Sequence, residues 1–262
     1  MPRLTWGDSG SRLYETGIDR GVLYVGTQPG VPWVGLSSVE ESPSGGDNRS
    51  YYIDGLKYLQ TSSPEEFTAT INAFTYPDEF MVCDGTANVR PGLSLGQQRR
   101  KHFGMSYRTQ IGNDLGENAG YKIHIIYNAL ATPTQKSYST ISDSPEPSTF
   151  SWTISTRPPA MDGFKRSAHV IIDSRTTAAA TLKAIEDVLY GDETHPPKIP
   201  TLAELINLYD TPDFSLTVTA NPDGTYTING PDSAVQALTS TTYQIIWPTV
   251  VPVDEEVYSI SS

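Results

Sequence analysis

The 262-residue sequence has a single cysteine, Cys83, and little basic charge. One cysteine excludes an internal disulfide framework and a thiolate zinc cluster. The 18 Lys and Arg residues are outnumbered by 30 Asp and Glu, and the net charge of −12 argues against a protein that reads nucleic-acid sequence. No apolar run resembles a signal peptide or a membrane span, so we expect synthesis in the cytoplasm and no membrane anchor.

Turn-forming residues are abundant instead. The chain has 21 Gly and 20 Pro, while apolar residues make up 37% and charged residues 18% of it. This composition is too apolar for a disordered chain. The chain is also long enough to build one sizeable core. So many turn formers favour a fold of many short strands.

The negative charge is concentrated toward the end of the sequence. Residues 201–262 contain eight acidic side chains and no Lys or Arg, so they hold −8 of the net −12. The preceding segment, Gly191–Pro200, contains three prolines, which prevent regular structure there. We therefore predict two domains, a main β domain over residues 1–200 and a small acidic region over 201–262.

Apolar residues in the main domain recur mostly at every second position, which predicts strands. This alternation is clearest in Glu66–Tyr76, Arg100–Ile111 and Tyr121–Leu130. Each of these strands is expected to turn its apolar side to a core and its polar side to water. The polar sides comprise Thr68, Thr70, Asn72, His102, Ser106, Arg108, Lys122, His124 and Asn128.

Other segments complete a mainly β fold. Asp54-Gly55 predicts either a tight hairpin turn or a bulge within a longer strand. Thr176–Tyr190 has the apolar spacing of an amphipathic helix, and Thr201–Tyr209 is compatible with a second short helix started by a capping box of Thr201 and Glu204. We predict a β-sandwich or open barrel with one docked α-helix, plus a small C-terminal β-rich appendage.

Side chains capable of chemistry form no catalytic pattern. Ser94 lies in a Gly-x-Ser-x-Gly motif, but its surroundings do not predict the strand–turn–helix elbow of serine hydrolases. His102 and His124 fall on the polar sides of neighbouring strands, which would allow them to meet, but we interpret them as solvated or interface side chains rather than a metal pair. Glu40 and Glu41 are adjacent and so point to opposite faces of a strand. The sequence therefore predicts a protein that is not an enzyme, with no metal and no cofactor.

The densest basic cluster is QQRRK, residues 97–101, which contains Arg99, Arg100 and Lys101. Three charges without interleaved aromatic residues make a poor nucleic-acid surface. Two interpretations stay open for this cluster. It is either a surface that pairs with acidic residues of a neighbouring chain or a solvated turn.

Three long strings in this sequence resemble one known family. They are FGMSYRTQIGNDLGENAGYKIHIIYNA (Phe103–Ala129), YYIDGLKYLQTSSPEEFTATINAFTYPDEF (Tyr51–Phe80), and FSWTISTRPP followed by SAHVIIDS and a helix ending in LYG. All are similar to the major tail protein, or tail tube protein, of long-tailed (siphovirus-type) phages that infect actinobacteria. The resemblance runs in order from Gly7 to Tyr209 and is weaker over Phe214–Ser262.

The resemblance implies a structural protein of the virion tail. Members of the family form hexameric rings that stack around a tape-measure protein into a tube, and the genome passes through its lumen into the host. The implied partners are other copies of the chain, the tape-measure protein, the tail terminator and distal tail proteins, and passing double-stranded DNA. The polar strand sides named above would then line a polar, mildly charged lumen.

Long polar loops are the expected contacts between subunits. A chain that forms rings must bury surface against its neighbours and close its exposed strand edges. Two loops and the basic cluster are the candidates for these contacts. They contribute Ser44, Gly45, Gly46, Asp47, Arg99, Arg100, Lys101, Asn113, Asp114 and Glu117.

Two other functions remain open from the sequence. Fifteen Tyr and four Trp are enough to form a sugar-stacking platform, so the chain is alternatively a β-sandwich adhesin or carbohydrate-binding module. A hydrolase that uses Ser94 is the second alternative, and labelling by a fluorophosphonate probe would identify it.

Overall fold

A computed structural model describes residues 6–116, 118–138, 140, 147–160 and 163–210, together with the backbone of six strands between 217 and 261. The chain divides into two compact units, Met1–Tyr209 and Asp210–Ser262. None of the helices in these residues is both long and apolar enough to cross a membrane.

The described residues of the first unit form mainly strands, with two α-helices late in the sequence and a 3₁₀ helix at Asp78–Val82. The helices are α1 (Ala179–Tyr190) and α2 (Leu202–Asp210). The strands are β1 (Leu13–Tyr24), β2 (Val31–Pro32), β3 (Leu36–Glu41), β4 (Ser44–Gly45), β5 (Asn48–Ile53), β6 (Leu56–Ser62), β7 (Glu65–Glu66), β8 (Thr68–Ala73), β9 (Ala87–Arg90), β10 (Leu93–Leu95), β11 (Phe103–Asn113), β12 (Asn118–Ala131), β13 (Phe150–Thr156) and β14 (His169–Asp173).

One large antiparallel sheet organises this unit. Its strands follow the order β2-β1-β11-β12-β13-β8-β3, and β14 also pairs with β12. The long strand β12 has two neighbours on one side, because residues 122–126 pair with β14 and residues 129–131 pair with β13. The predicted mainly β fold is confirmed.

The first core lies on one face of this sheet. It is built from β1, β11 and β12 at one end of the strand order and from β8 and β13 at the other, so the sheet folds over onto itself. Trp152 is fully buried at its centre, where its ring contacts Trp33, Tyr76, Phe80 and Phe150. Its indole N–H donates to Asp84 at 3.1 Å, so the only polar atom of the ring has a partner.

The second core lies on the opposite face of β11 and β12, under the two helices. Ile123 and Ile125 of β12 are fully buried against Ile185 and Leu189 of α1. The helix α2 adds Leu202 and Leu205 to the same cluster. The two central strands are therefore covered on both faces within a single chain.

The end of α1 and the start of α2 agree with the sequence prediction. Gly191 ends α1 in the left-handed region at φ 82°, a conformation that glycine adopts without strain. The capping box of α2 is confirmed, because the Thr201 N–H donates to Glu204 at 2.7 Å and the Glu204 N–H donates to the Thr201 hydroxyl at 3.2 Å. Since α2 packs on the second core, two helices dock on the sheet, not the single one predicted.

The described residues of the second unit form three antiparallel strand pairs. They pair β15 (Thr217–Ala220) with β16 (Tyr226–Asn229), β17 (Val235–Ala237) with β18 (Tyr243–Ile245), and β19 (Thr249–Asp254) with β20 (Val257–Ser261). The predicted β-rich character of this region is confirmed in the strands described.

Candidate functional site

The structure separates the polar residues that the sequence placed together on β11 and β12. Ser106 and Arg108 lie on the side of the helices, where the Ser106 hydroxyl is 3.1 Å from that of Tyr24. His124 lies on the opposite side, stacked on Tyr107. Ser106 and His124 are 0% and 6% exposed, so the prediction of one water-facing polar side is wrong for these two strands. Neither residue is available to line a channel in the isolated chain.

The remaining polar residues of these strands lie nearer the surface. His102 and Asn128 are exposed and joined, with His102 Nδ1 at 3.2 Å from the Asn128 carbonyl oxygen. Lys122 forms an ion pair with Glu15 of β1. The register sets Tyr107, not His102, opposite His124, so the suggested meeting of His102 and His124 is wrong.

Arg108 belongs to a polar cluster at the edge of the second core. Its Nε and Nη2 donate to the two carboxylate oxygens of Asp19 at 2.7 and 2.8 Å, and its guanidinium lies over the ring of Tyr121 at 4.5 Å. Gln110 donates to Asp19 at 2.6 Å. The hydrogen bond from Arg108 holds the pKa of Asp19 below its ordinary value.

This cluster gives a pH-dependent contribution to stability. A carboxyl whose pKa is lower in the folded state stabilises the fold above its unfolded pKa of about 3.9 and loses that effect as pH falls through the folded value. We expect Asp19→Asn to lower the free energy of unfolding by about 1 kcal/mol at pH 7, the upper end for a partly exposed pair. The difference from wild type should vanish in acid. Urea unfolding across a pH series measures this difference. Glu193→Gln, at an exposed position, is the control, and it should change neither the free energy of unfolding nor its dependence on pH.

A second set of predicted residues does share one polar surface. Thr68, Thr70 and Asn72 all point away from the first core on β8, while Ala69, Ile71 and Ala73 point into it. The alternation predicted for this strand is confirmed. The neighbours β3 and β13 continue the surface in register, as Ser38 and Ser151 flank Asn72, and Glu40 and Thr153 flank Thr70.

We call this surface the polar face. Its members are half-buried or exposed hydroxyl, amide and carboxylate side chains. Asn72 donates to the Ser38 hydroxyl at 3.0 Å and to Glu40 at 3.1 Å, so these groups are held in place across strands. The outward residues of the three strands are Ser38, Glu40, Thr68, Thr70, Asn72, Ser151, Thr153 and Ser155.

A hairpin that leaves the sheet between β3 and β8 carries a group of exposed apolar side chains. We call residues 44–66 the arm; β4 pairs with β7 at its base and β5 pairs with β6 beyond. Asp54 and Gly55 form its tip with φ 51° and 78°, so the hairpin interpretation of this dipeptide is confirmed. Every residue of the arm is exposed.

The arm carries six large apolar side chains that are at least half exposed. Leu56 and Tyr58 are 74% and 75% exposed, and the other four are Tyr51, Tyr52, Ile53 and Leu59. A two-stranded hairpin is marginally stable in water on its own, and a contiguous exposed apolar patch marks an interaction surface. The arm therefore has the properties of a surface that binds another protein.

The residues predicted to join subunits have different surroundings. Ser44, Gly45, Gly46 and Asp47 are exposed and form the base of the arm. An alanine Cβ at Gly45 would lie 2.4 Å from the Pro64 carbonyl oxygen, so this base requires glycine.

The second predicted loop is a short turn between β11 and β12. Asn113 is buried, whereas Asp114 is exposed and accepts a hydrogen bond from the Gly10 N–H at 2.9 Å. Glu117 lies outside the described residues. In the basic cluster Arg99 and Lys101 are exposed, but Arg100 donates to the Ala131 carbonyl at 3.0 Å.

A further cluster, missed by the sequence analysis, joins three strands at the root of the arm. Glu41 ends β3, His124 lies in β12 and His169 begins β14. His124 Nδ1 is 3.2 Å from His169 Nε2 and 3.2 Å from Glu41 Oε1, and the third distance, His169 Nε2 to Glu41 Oε1, is 3.5 Å. The hydroxyl of Tyr107 donates to the same carboxylate at 2.5 Å.

The electrostatics of this cluster favour an ionised Glu41. The hydrogen bond with His124 lowers the pKa of Glu41 to about 2, despite partial burial. Burial lowers the pKa of His169 and so favours its neutral form, and burial also raises the pKa of Tyr107. A carboxylate and two imidazoles are thereby brought together, a donor set able to hold a transition-metal ion.

Ser94 is not placed in a hydrolase elbow. It lies in β10, which forms a short hairpin with β9, and no helix follows it. Its hydroxyl donates to the side-chain oxygen of Asn88. A nucleophilic serine needs a base within hydrogen-bond reach, and an amide oxygen cannot serve as one.

No family model and no curated protein matches this sequence. Solved structures similar to parts of it include the following three. A chain of the "PVC sheath-tube complex in extended state" of an extracellular contractile injection system is 14% identical over 59% of this chain and 88% of its own, with a TM-score of 0.35. A "PVC sheath/tube terminator" chain is 16% identical over 58% and 93%, with a TM-score of 0.29. The "anti-feeding prophage cap (AFP tube terminating cap)" is 13% identical over 66% and 97%, with a TM-score of 0.30.

Proposed function

We propose that this chain is a tail tube protein of a long-tailed phage, whose copies close into hexameric rings that stack into a hollow tube for genome delivery. It acts by assembly and catalyses no reaction. Its partners are other copies of the chain, a tape-measure protein and DNA within the tube, and terminator and distal tail proteins at the tube ends. Its place is the virion tail.

The arm is the observation that carries this proposal. Leu56, Tyr58 and four neighbours expose large apolar side chains on one projecting hairpin, and clustered exposed apolar surface marks interaction sites. Aromatic and large aliphatic side chains on a projecting element are typical anchors of protein–protein interfaces. A second copy is the occupant that we propose, since most soluble assemblies are symmetric and built from one chain.

The ends of the sheet also support assembly. In the part of the chain that the structure describes, β2 and β3 are the terminal strands of the main sheet order. Among the described residues, each of these two strands therefore has one edge that is not paired with another strand. Such an edge can pair with a strand of another chain. Pairing of these edges between neighbours would continue the sheet around a ring and remove the edges.

The composition of the polar face supports its proposed place as the lining of the tube's bore. Its outward positions hold hydroxyl and amide groups with the single carboxylate of Glu40 and no Lys or Arg. Affinity for DNA comes largely from cations that neutralise phosphates, so a wall of this composition would let a duplex pass without retaining it. We place Thr68, Thr70 and Asn72 on the bore and assign Ser106 and His124 to the interior of the subunit.

Electron microscopy of the purified full-length chain tests this function. We expect negatively stained samples to show rings or tubes of uniform width as the protein concentration is raised. The matched assay is a glycan array with the same sample. A chain that remains monomeric at all concentrations and binds glycans would contradict the proposal and favour the carbohydrate-binding alternative.

A further inference from the structure

We propose a Zn²⁺ site formed by Glu41, His124 and His169 at the root of the arm. The three donor atoms come from β3, β12 and β14 and are separated by 3.2, 3.2 and 3.5 Å. Two ligands of a tetrahedral zinc ion, each about 2.05 Å from it, lie about 3.3 Å apart. The side chains are thus already spaced as three ligands of one ion.

The chemistry of the donors distinguishes among divalent ions. Two imidazole nitrogens and one carboxylate suit zinc, whereas magnesium and calcium prefer oxygen ligands alone. Neighbouring ligands of an octahedral Mg²⁺ would lie about 3.0 Å apart, closer than the spacing here. Ligand type and ligand spacing therefore both favour zinc over magnesium.

Surrounding side chains hold the ligands in the required orientation. The Nε2 of His124 is 3.1 Å from the Thr109 hydroxyl, a bond that leaves Nδ1 as the nitrogen facing the other two donors. The ring of His124 is stacked between those of Tyr107 and His169, at 4.7 and 5.4 Å, and Phe67 packs on His169 at 4.5 Å. The imidazoles are fixed before any ion arrives.

Burial and access are also suited to an ion. The side chains of His124 and His169 are 7% and 12% exposed, while that of Glu41 is 32% exposed. The partly exposed carboxylate thus gives solvent access to the site, and water from solvent would supply the fourth ligand. Its negative charge offsets part of the charge of the ion in a largely buried place.

An ion here would stabilise one particular connection. Glu41 is the last residue of β3, and the arm begins three residues later at Ser44. Binding would clip this junction to β12 and β14 and so fix the direction in which the arm leaves the body. That consequence rests on the proposed function, whereas the zinc site itself does not.

Calorimetric titration of the tag-free, chelator-treated full-length chain with Zn²⁺ tests the site. We expect one Zn²⁺ per chain to bind, a rise in the melting temperature, and no response to Mg²⁺. His169→Ala and Glu41→Gln should each weaken zinc binding by at least about tenfold. The exposed histidines supply matched controls, because His102→Ala and His195→Ala should leave affinity unchanged.

Two results would overturn the site. One is the absence of zinc binding to the wild-type chain, and the other is affinity that survives in both His169→Ala and Glu41→Gln. X-ray absorption on the zinc-loaded wild type keeps the test decisive if a variant fails to fold. A shell with two imidazole nitrogens supports the site, and a shell of oxygens alone contradicts it. Electron microscopy measures assembly independently of zinc binding. Failure of the zinc site and failure of the proposed tube function are therefore distinguishable.

Discussion

We expect the double variant Leu56→Ser/Tyr58→Ser to remain a folded monomer under conditions in which the wild-type chain assembles. Both side chains are about three-quarters exposed, so their loss should change the free energy of unfolding by no more than about 0.5 kcal/mol. Truncating an apolar anchor of an interface costs about 2 kcal/mol or more, and a ring repeats that loss at every contact. Sedimentation velocity and thermal melting, run side by side, measure the two effects.

Val34→Ser is the matched control for this experiment. Val34 is 72% exposed and lies in the turn between β2 and β3, outside the arm. It should melt and assemble as the wild type does. Equal loss of assembly in this control, or normal assembly of the arm variant, would show that the arm is not the contact element.

Replacing Trp152 by alanine should destabilise the first unit by about 3–5 kcal/mol. The side chain is fully buried among four other aromatic rings, and its removal leaves a cavity together with Asp84 deprived of a hydrogen bond. Urea unfolding followed by circular dichroism gives the change directly.

Trp6 provides the comparison for that substitution. It is 83% exposed, so Trp6→Ala removes the same ring without opening a cavity and should cost no more than about 0.5 kcal/mol. Similar losses in the two variants, or a loss below about 1 kcal/mol for Trp152→Ala, would mean that Trp152 does not organise the first core.

Local chemistry was sufficient to predict several elements of this fold. Thr68–Ala73 alternates strictly between polar and apolar residues, and one of its faces is buried while the other is not. The Asp54-Gly55 turn and the Thr201–Glu204 capping box depend on residues a few positions apart. In each of these cases the physical cause lies within the segment itself.

Strands β11 and β12 show where local chemistry is insufficient. Ser106 and His124 interrupt apolar residues in the way expected of a water-facing side, yet both are buried. Their polar atoms are satisfied by Tyr24 and by the Glu41 cluster, which come from distant parts of the sequence. Alternation of polar and apolar residues shows that the two faces of a strand differ in polarity. It does not show which parts of the chain will cover each face.

The zinc-binding geometry was missed for a related reason. His124 and His169 are 45 residues apart and meet only because β14 pairs with β12 in one particular register. The sequence suggested His102 as the neighbour of His124, but the register of β11 and β12 puts Tyr107 there. Strand order and register are tertiary properties, and no residue spacing encodes them.

A cryo-electron microscopy reconstruction of the assembled protein would test most directly whether the arm joins copies around a polar channel. We predict that Leu56 and Tyr58 are buried against a neighbouring copy and that the hydroxyls of Thr68 and Thr70 face the bore. A map in which the arm projects into solvent and another subunit covers the polar face would contradict this.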